Sequence, residues 1–195
     1  AFEELLLFQA ALWLCRGNAR EGVRIASSRD EAEAFWRRMP FSPTGAQRRA
    51  LEEIRQDMAA SAPMARLVQG DVGCGKTAVA LGALALCAQG GYQGALMAPT
   101  EVLARQHFES AQNLLAPLGI RVGLLLGSLS PREKRLAHQA VAQGEWQVVI
   151  GTHALISQGV EYARLGLVVT DEQHRFGVAQ RARLAAKGHS PHLLV

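Results

Sequence analysis

Cysteine is scarce in this chain and scattered along it. Cys15, Cys74 and Cys87 are an odd set, without the paired spacing of a zinc site or the density of a disulfide framework. They read as reduced thiols of a cytosolic protein. Aromatic residues make up only 6% of the sequence, and no stripe of them is laid out for stacking on bases. Long apolar runs are missing too. Leu5–Leu14, the strongest such run near a terminus, is too short to cross a bilayer. It follows Glu3 and Glu4 rather than the basic residues of a signal peptide. Internal repeats and low-complexity tracts are also absent. Acidic residues are outnumbered 17 to 21 by Lys and Arg, for a net charge of +4. That balance permits contact with nucleic acid without requiring it.

What the sequence does contain is concentrated in one octapeptide. Residues 70–77 read Gly-Asp-Val-Gly-Cys-Gly-Lys-Thr, a complete G-x-x-x-x-G-K-T phosphate-binding loop. The apolar segment Met64–Val68 precedes it and the helix-forming run Ala78–Leu86 follows it. This is the strand–loop–helix context in which the pattern acquires its mechanism. Gly70, Gly73 and Gly75 can take backbone angles closed to other residues. The loop amides, those of Gly70, Asp71, Val72, Gly73, Cys74 and Gly75, would then turn inward around phosphate oxygens at the positive end of the helix. Lys76 would reach the terminal phosphates, and the Thr77 hydroxyl would ligate Mg²⁺.

With 195 residues, 49% of them hydrophobic, the chain suits one α/β domain with a short appendage. Residues 1–16 form an apolar helix that needs a packing partner, ended by Arg16-Gly17-Asn18. Residues 17–40 read as a connector with a short helix over Asp30–Arg37, closed by Pro40. From Phe41 onward helices and strands alternate. Helices are expected over Gly45–Met58, Lys76–Ala88, Glu101–Leu115, Pro131–Ala142 and Val178–Ala186. Strands are expected over Met64–Val68, Gly94–Ala98, Arg121–Leu125, Gln147–Ile150, Leu165–Thr170 and His192–Val195. This alternation predicts a parallel sheet with helices on both faces, and a ligand at the carboxyl ends of the strands.

A second apolar strand, Leu165–Thr170, runs directly into Asp171-Glu172-Gln173-His174. Asp171 would hold the magnesium ion, directly or through water, and Glu172 would orient or deprotonate the attacking water. Gln173 and His174 would sense the γ-phosphate. Upstream, Gln47 has two readings. Its amide can pair with an adenine edge, or it can close a capping box with Thr44 as N-cap. It cannot fill both roles fully at once. Three further strand ends carry small or hydroxyl residues: Thr100, Gly127-Ser128 and Gly151-Thr152-His153. Together they offer amides and hydroxyls to a phosphate chain, though each is also a common helix cap.

The order of these motifs resembles the first motor lobe of superfamily 2 helicases. Asp171–Val178 followed by Gln180-Arg181 is similar to the bacterial RecG branch, as are Gly70–Thr77, Ala98–His107 and Gly151–Leu155. Transcription-repair coupling translocases resemble the sequence as well, but usually carry glutamate where Gln173 stands. The RecG resemblance extends to Phe2–Arg16, which looks like the helix joining that family's wedge region to its motor. It implies a RecA-like P-loop domain over residues 41–195 behind a helical linker, residues 1–40. It also implies ATP and Mg²⁺ as ligands, no membrane, and a bacterial, cytoplasmic, nucleoid-associated protein. The implied activity is an ATP-dependent DNA translocase that regresses stalled forks and moves Holliday junctions.

Residue by residue, the resemblance assigns adenine recognition to Gln47, with Phe41 as a stacking neighbour. It assigns the DNA phosphate track to Thr100, Arg105, Gly127, Ser128, Thr152 and His153. It further implies a wedge domain ahead of Ala1 and, past Val195, a Thr-Ala-Thr-Pro stretch and a second motor lobe whose arginines complete the ATP site. The chain is accordingly expected to be the first lobe alone, binding ATP–Mg²⁺ and branched or double-stranded DNA weakly and turning ATP over very slowly. The alternatives are the motor lobe of a transcription-repair coupling translocase, a stand-alone P-loop phosphotransferase, and a nucleotide-dependent interaction module.

Overall fold

The computed structural model describes residues 21–71, 73–171 and 183–195. The expected first helix over residues 1–16 lies outside them. Residues 21–28 form no regular element, and the amides of Gly22 and Ile25 donate to the carbonyls of Ser61 and Met58, both at 2.8 Å. Ile25 is fully buried. Helix α1, Arg29–Trp36, starts at a capping box made by Ser28 and Glu31 and buries Ala32, Phe35 and Trp36. Residues 21–40, read from the sequence as a connector, therefore pack into the main core.

Helix α2, Gly45–Ala59, buries Gln47, Leu51, Ile54 and Met58, a stripe at three-to-four-residue spacing. Strand β1, Ala65–Arg66, leads through the glycine loop into helix α3, Lys76–Gln89. This helix is apolar on nearly every face and buries ten of its 14 residues, as expected of a helix enclosed on all sides. The rest follows as β2 (Gln93–Met97), α4 (Glu101–Leu115), β3 (Val122–Leu125), α5 (Pro131–Ala142), β4 (Val148–Gly151), β5 (Leu165–Thr170) and β6 (His192–Leu194). Residues 183–185 are helical; the remainder of the helix expected over Val178–Ala186 is outside the described residues, apart from its last position.

The six strands form one sheet in the order β1-β6-β5-β2-β4-β3, and every pairing is parallel. Alternate strand residues enter two separate cores, as the period of two requires. Leu96, Ile150, Leu167 and Val169 face the side covered by α1 to α4. Ala95, Met97, Val149 and Val168 face the side covered by α5, where Ala137, Val141 and Leu184 are buried. Helices thus lie on both faces, and the fold is the RecA-like α/β class.

β1 is shorter than the expected Met64–Val68. Its pairing nevertheless extends past both ends, since Leu193 N donates to Met64 O and Val68 N donates to Val195 O. Close approach explains Gly82 in α3: a Cβ there would sit 2.9 Å from both Leu51 and Phe35. This is where α1 and α2 pack onto α3.

Candidate nucleotide site

In a parallel sheet every strand ends at the same edge. The glycine loop after β1 and Asp171 after β5 are separated at that edge by β6 alone. Two strand spacings place them about 10 Å apart, and both line one cleft of about 660 Å³. Lys76, Thr77, His107 and Thr170 line it as well. Its size lies within the range of small-molecule sites.

The loop is shaped by two left-handed glycines, Gly73 at φ 81° and Gly75 at φ 82°, a region costly for any side chain. At Gly70, an added Cβ would meet Cys74 Sγ at 2.6 Å. Lys76 Nζ donates to the carbonyls of Gly70 at 2.7 Å and Asp71 at 2.9 Å. The ammonium therefore spans the loop, held at the mouth of α3, where the helix dipole favours an anion. Thr77 is exposed at the same helix end, and Cys74 is exposed too. Val72 lies outside the described residues, as do Glu172 and His174.

Both predicted bonds of the capping box form: Gln47 Oε1 accepts from Thr44 N at 2.8 Å, and Thr44 Oγ1 accepts from Gln47 N at 3.2 Å. Gln47 Nε2 then donates to the carbonyl of Cys74 at 2.9 Å. Both ends of the buried amide are thus engaged with protein, and the side chain links α2 to the phosphate loop. Pairing with a base would require those bonds to be exchanged. Phe41 is 46% exposed.

Asp171 is fixed twice by the unit formed of β2 and α4. Its amide donates to Met97 O at 3.1 Å. Its Oδ2 accepts from His107 Nε2 at 2.7 Å, since an ionised carboxylate has no proton to give. With the Thr77 hydroxyl across the cleft, the donors are hard oxygens. They suit Mg²⁺, which takes one or two carboxylate contacts and retains water.

The three strand ends proposed for a phosphate chain also converge. Ser128 N and Oγ donate to the two carboxylate oxygens of Glu101, at 3.0 and 2.5 Å. The Ser128 hydroxyl, aided by its amide and by Arg105 and His153, holds the Glu101 carboxyl below the usual range. A Cβ added to Gly127 would lie 3.7 Å from the His153 ring. Arg105 is exposed. Thr100 spends its hydroxyl on capping α4, accepting from Leu103 N at 3.3 Å. Thr152 is buried, and its hydroxyl has no partner among the described residues. That tip therefore presents the exposed His153 ring to solvent instead.

Sequence inspection did not single out Glu101 or His107. A signal for His107 was available: it stands three residues after Ala104 and four before Ala111, both fully buried. A titratable ring beside a buried stripe needs a polar partner.

A family model for the DEAD/DEAH box helicase matches residues 44–190. The chain belongs to this helicase family. Within it, the chain is similar along its whole length to the ATP-dependent DNA helicase RecG of Streptococcus pneumoniae, at 49% identity over 100% of this chain and 29% of that protein. The RecG of Escherichia coli O127:H6 is 44% identical over 99% of this chain and 29% of its own length. A solved structure of RecG bound to a three-way DNA junction superposes with a TM-score of 0.88 at 42% identity, covering all of this chain and 26% of that one. The structure of a hypothetical ATP-dependent RNA helicase from Sulfolobus tokodaii, 17% identical with a TM-score of 0.64, shares the fold. The chain thus spans under a third of the length of the RecG relatives it matches.

Proposed function

We propose that this chain is the first motor lobe of a RecG-type ATP-dependent DNA helicase, one that remodels stalled forks and Holliday junctions in bacterial recombination and repair. The observation that carries this reading is the convergence of Lys76, Thr77 and Asp171 on one cleft, within a chain that matches RecG proteins from end to end. ATP would enter with its phosphates on the amides of residues 70–75, on Lys76 and on the amino end of α3. Mg²⁺ would be held by Thr77 and Asp171, where it screens charge between the phosphates. Glu172 would orient the attacking water, and His174 would register the γ-phosphate. Gln47 would serve the adenine after releasing Cys74, with Phe41 beside it.

The backbone of branched or duplex DNA would follow Thr100, Arg105, Gly127, Ser128 and His153, with Thr152 contributing its main chain. We place the protein in the bacterial cytoplasm, associated with the nucleoid, as the bacterial relatives suggest. Arginines of a second lobe would complete the ATP site, and lacking such a finger costs about 10³–10⁵ in rate. The 195-residue chain should therefore bind ATP–Mg²⁺ weakly and hydrolyse it very slowly. Calorimetry tests the assignment. Lys76→Ala should abolish ATP binding, and unchanged affinity would remove the basis for the site. DNA-stimulated turnover by this chain at rates usual for intact enzymes would refute the single-lobe reading.

A further inference from the structure

Resting on the nucleotide-site assignment above, we propose that His107 is a positioning residue, whose Nε2–H holds the Asp171 carboxylate in the orientation that binds Mg²⁺. Asp171 closes a strand, and its side chain is 38% exposed. A carboxylate at a strand end keeps one orientation only where its partners hold it. His107 is only 12% exposed. It sits on the second turn of a 15-residue helix whose Ala104, Ala111 and Leu115 are fully buried. The ring is therefore carried on a rigid element, and its bond to Oδ2 at 2.7 Å is of charge-assisted length.

The main chain supports the same arrangement. Asp171 N bonds to Met97 O at the end of β2, and α4 begins four residues later at Glu101. One strand–turn–helix unit thus grips both the backbone and the carboxylate of Asp171. Fixing the plane of a ligating carboxylate in advance lowers the ordering cost of metal binding, and losing such outer partners typically weakens metal affinity about 10–100-fold. His107 touches no phosphate in this scheme. It acts through Asp171.

The test is the Mg²⁺ dependence of ATP binding, measured by calorimetry on the chain as it stands. His107→Leu fills the space without a donor, and His107→Gln restores an N–H. ATP affinity in EDTA gives each variant its own metal-free baseline. The Mg²⁺ concentration giving half the metal-dependent gain in affinity should rise about 10–100-fold in His107→Leu. It should return to within about threefold of wild type in His107→Gln. An unshifted Mg²⁺ midpoint in His107→Leu overturns the proposal. So does equal damage in the two variants, or loss of folding in both, since each makes the ring a packing element only. Failure of wild type to bind ATP at all would instead overturn the nucleotide-site assignment.

Discussion

The side-chain amide of Gln47 donates to the main-chain carbonyl of Cys74 at 2.9 Å while its oxygen caps α2 through Thr44 N. One buried side chain thus fixes a helix start and the floor of the phosphate loop together. It also explains why Gly75 carries no side chain: besides its left-handed φ, a Cβ there would run into Gln47 Nε2. Replacing Gln47 by Ala removes two hydrogen bonds at a site that is 8% exposed. At roughly 0.5–1.5 kcal/mol each, stability should fall by about 1–3 kcal/mol. Thermal unfolding should register this as a drop of several degrees. An unchanged midpoint would show that the link contributes nothing.

Gln93 predicts a larger loss. Its Nε2 donates to Val141 O and Trp146 O, both at 2.9 Å, and its Oε1 accepts from Arg164 N at 3.1 Å. The residue is 3% exposed, so Gln93→Leu leaves two main-chain groups, Trp146 O and Arg164 N, without the amide that meets them, while Val141 O keeps its bond from Gly144 N. Each unsatisfied group costs about 1–3 kcal/mol. We predict a destabilisation of about 3–5 kcal/mol in urea unfolding, and a loss under 1 kcal/mol would contradict it.

Stability should also depend on pH through His192. This fully buried ring accepts from Met64 N at its Nδ1 and donates to Val23 O from its Nε2. Protonation would set two donors face to face at Nδ1. Burial lowers the pKa of His192, outweighing the contrary pulls of Val23 O, Met58 O and Asp57. The unfolded state then binds the proton first, so stability is full above the ordinary histidine value of 6.5. It declines as pH falls through 6.5 toward the lowered folded value. Between pH 7.5 and 5, the Tm of wild type should fall more steeply than that of His192→Gln. Parallel curves would reject this origin.

Arg105 tests the proposed phosphate track. It is exposed on α4 one turn beyond Glu101, close enough to that carboxylate to help lower its pKa. A phosphate contact releases about one counterion, so Arg105→Ala should weaken binding of forked DNA regardless of sequence. The slope of log K against log salt should shrink by about one. Fluorescence anisotropy across a salt series reads both quantities. A weakened affinity with an unaltered slope would argue for a structural role.

The elements legible from sequence were those whose signals are local. Thr100 ahead of Glu101 marks the start of α4, and Pro131 that of α5. The unbroken apolar run of β5 likewise matched its observed bounds. The expected bounds of β1 exceed its regular strand, yet the bonds from Leu193 N to Met64 O and from Val68 N to Val195 O span the whole expected stretch. The phosphate loop is legible because its parts are consecutive. The bond between His107 and Asp171 joins residues 64 apart, and that between Glu101 and Ser128 residues 27 apart. Only the sheet order brings such pairs together, and the sequence pattern does not state that order. Gln47 admitted two readings from sequence because the competing partner, Cys74 O, is another such distant group.

Helix α4 is tied at both ends of its first two turns, by Glu101 to the tip of β3 and by His107 to the tip of β5. Six residues at about 1.5 Å each put the two knots about 9 Å apart along a stiff rod. The β3 tip and the Asp171 carboxylate are therefore joined by a strut rather than by loops. A tilt of that strut cannot shift one knot without loading the other.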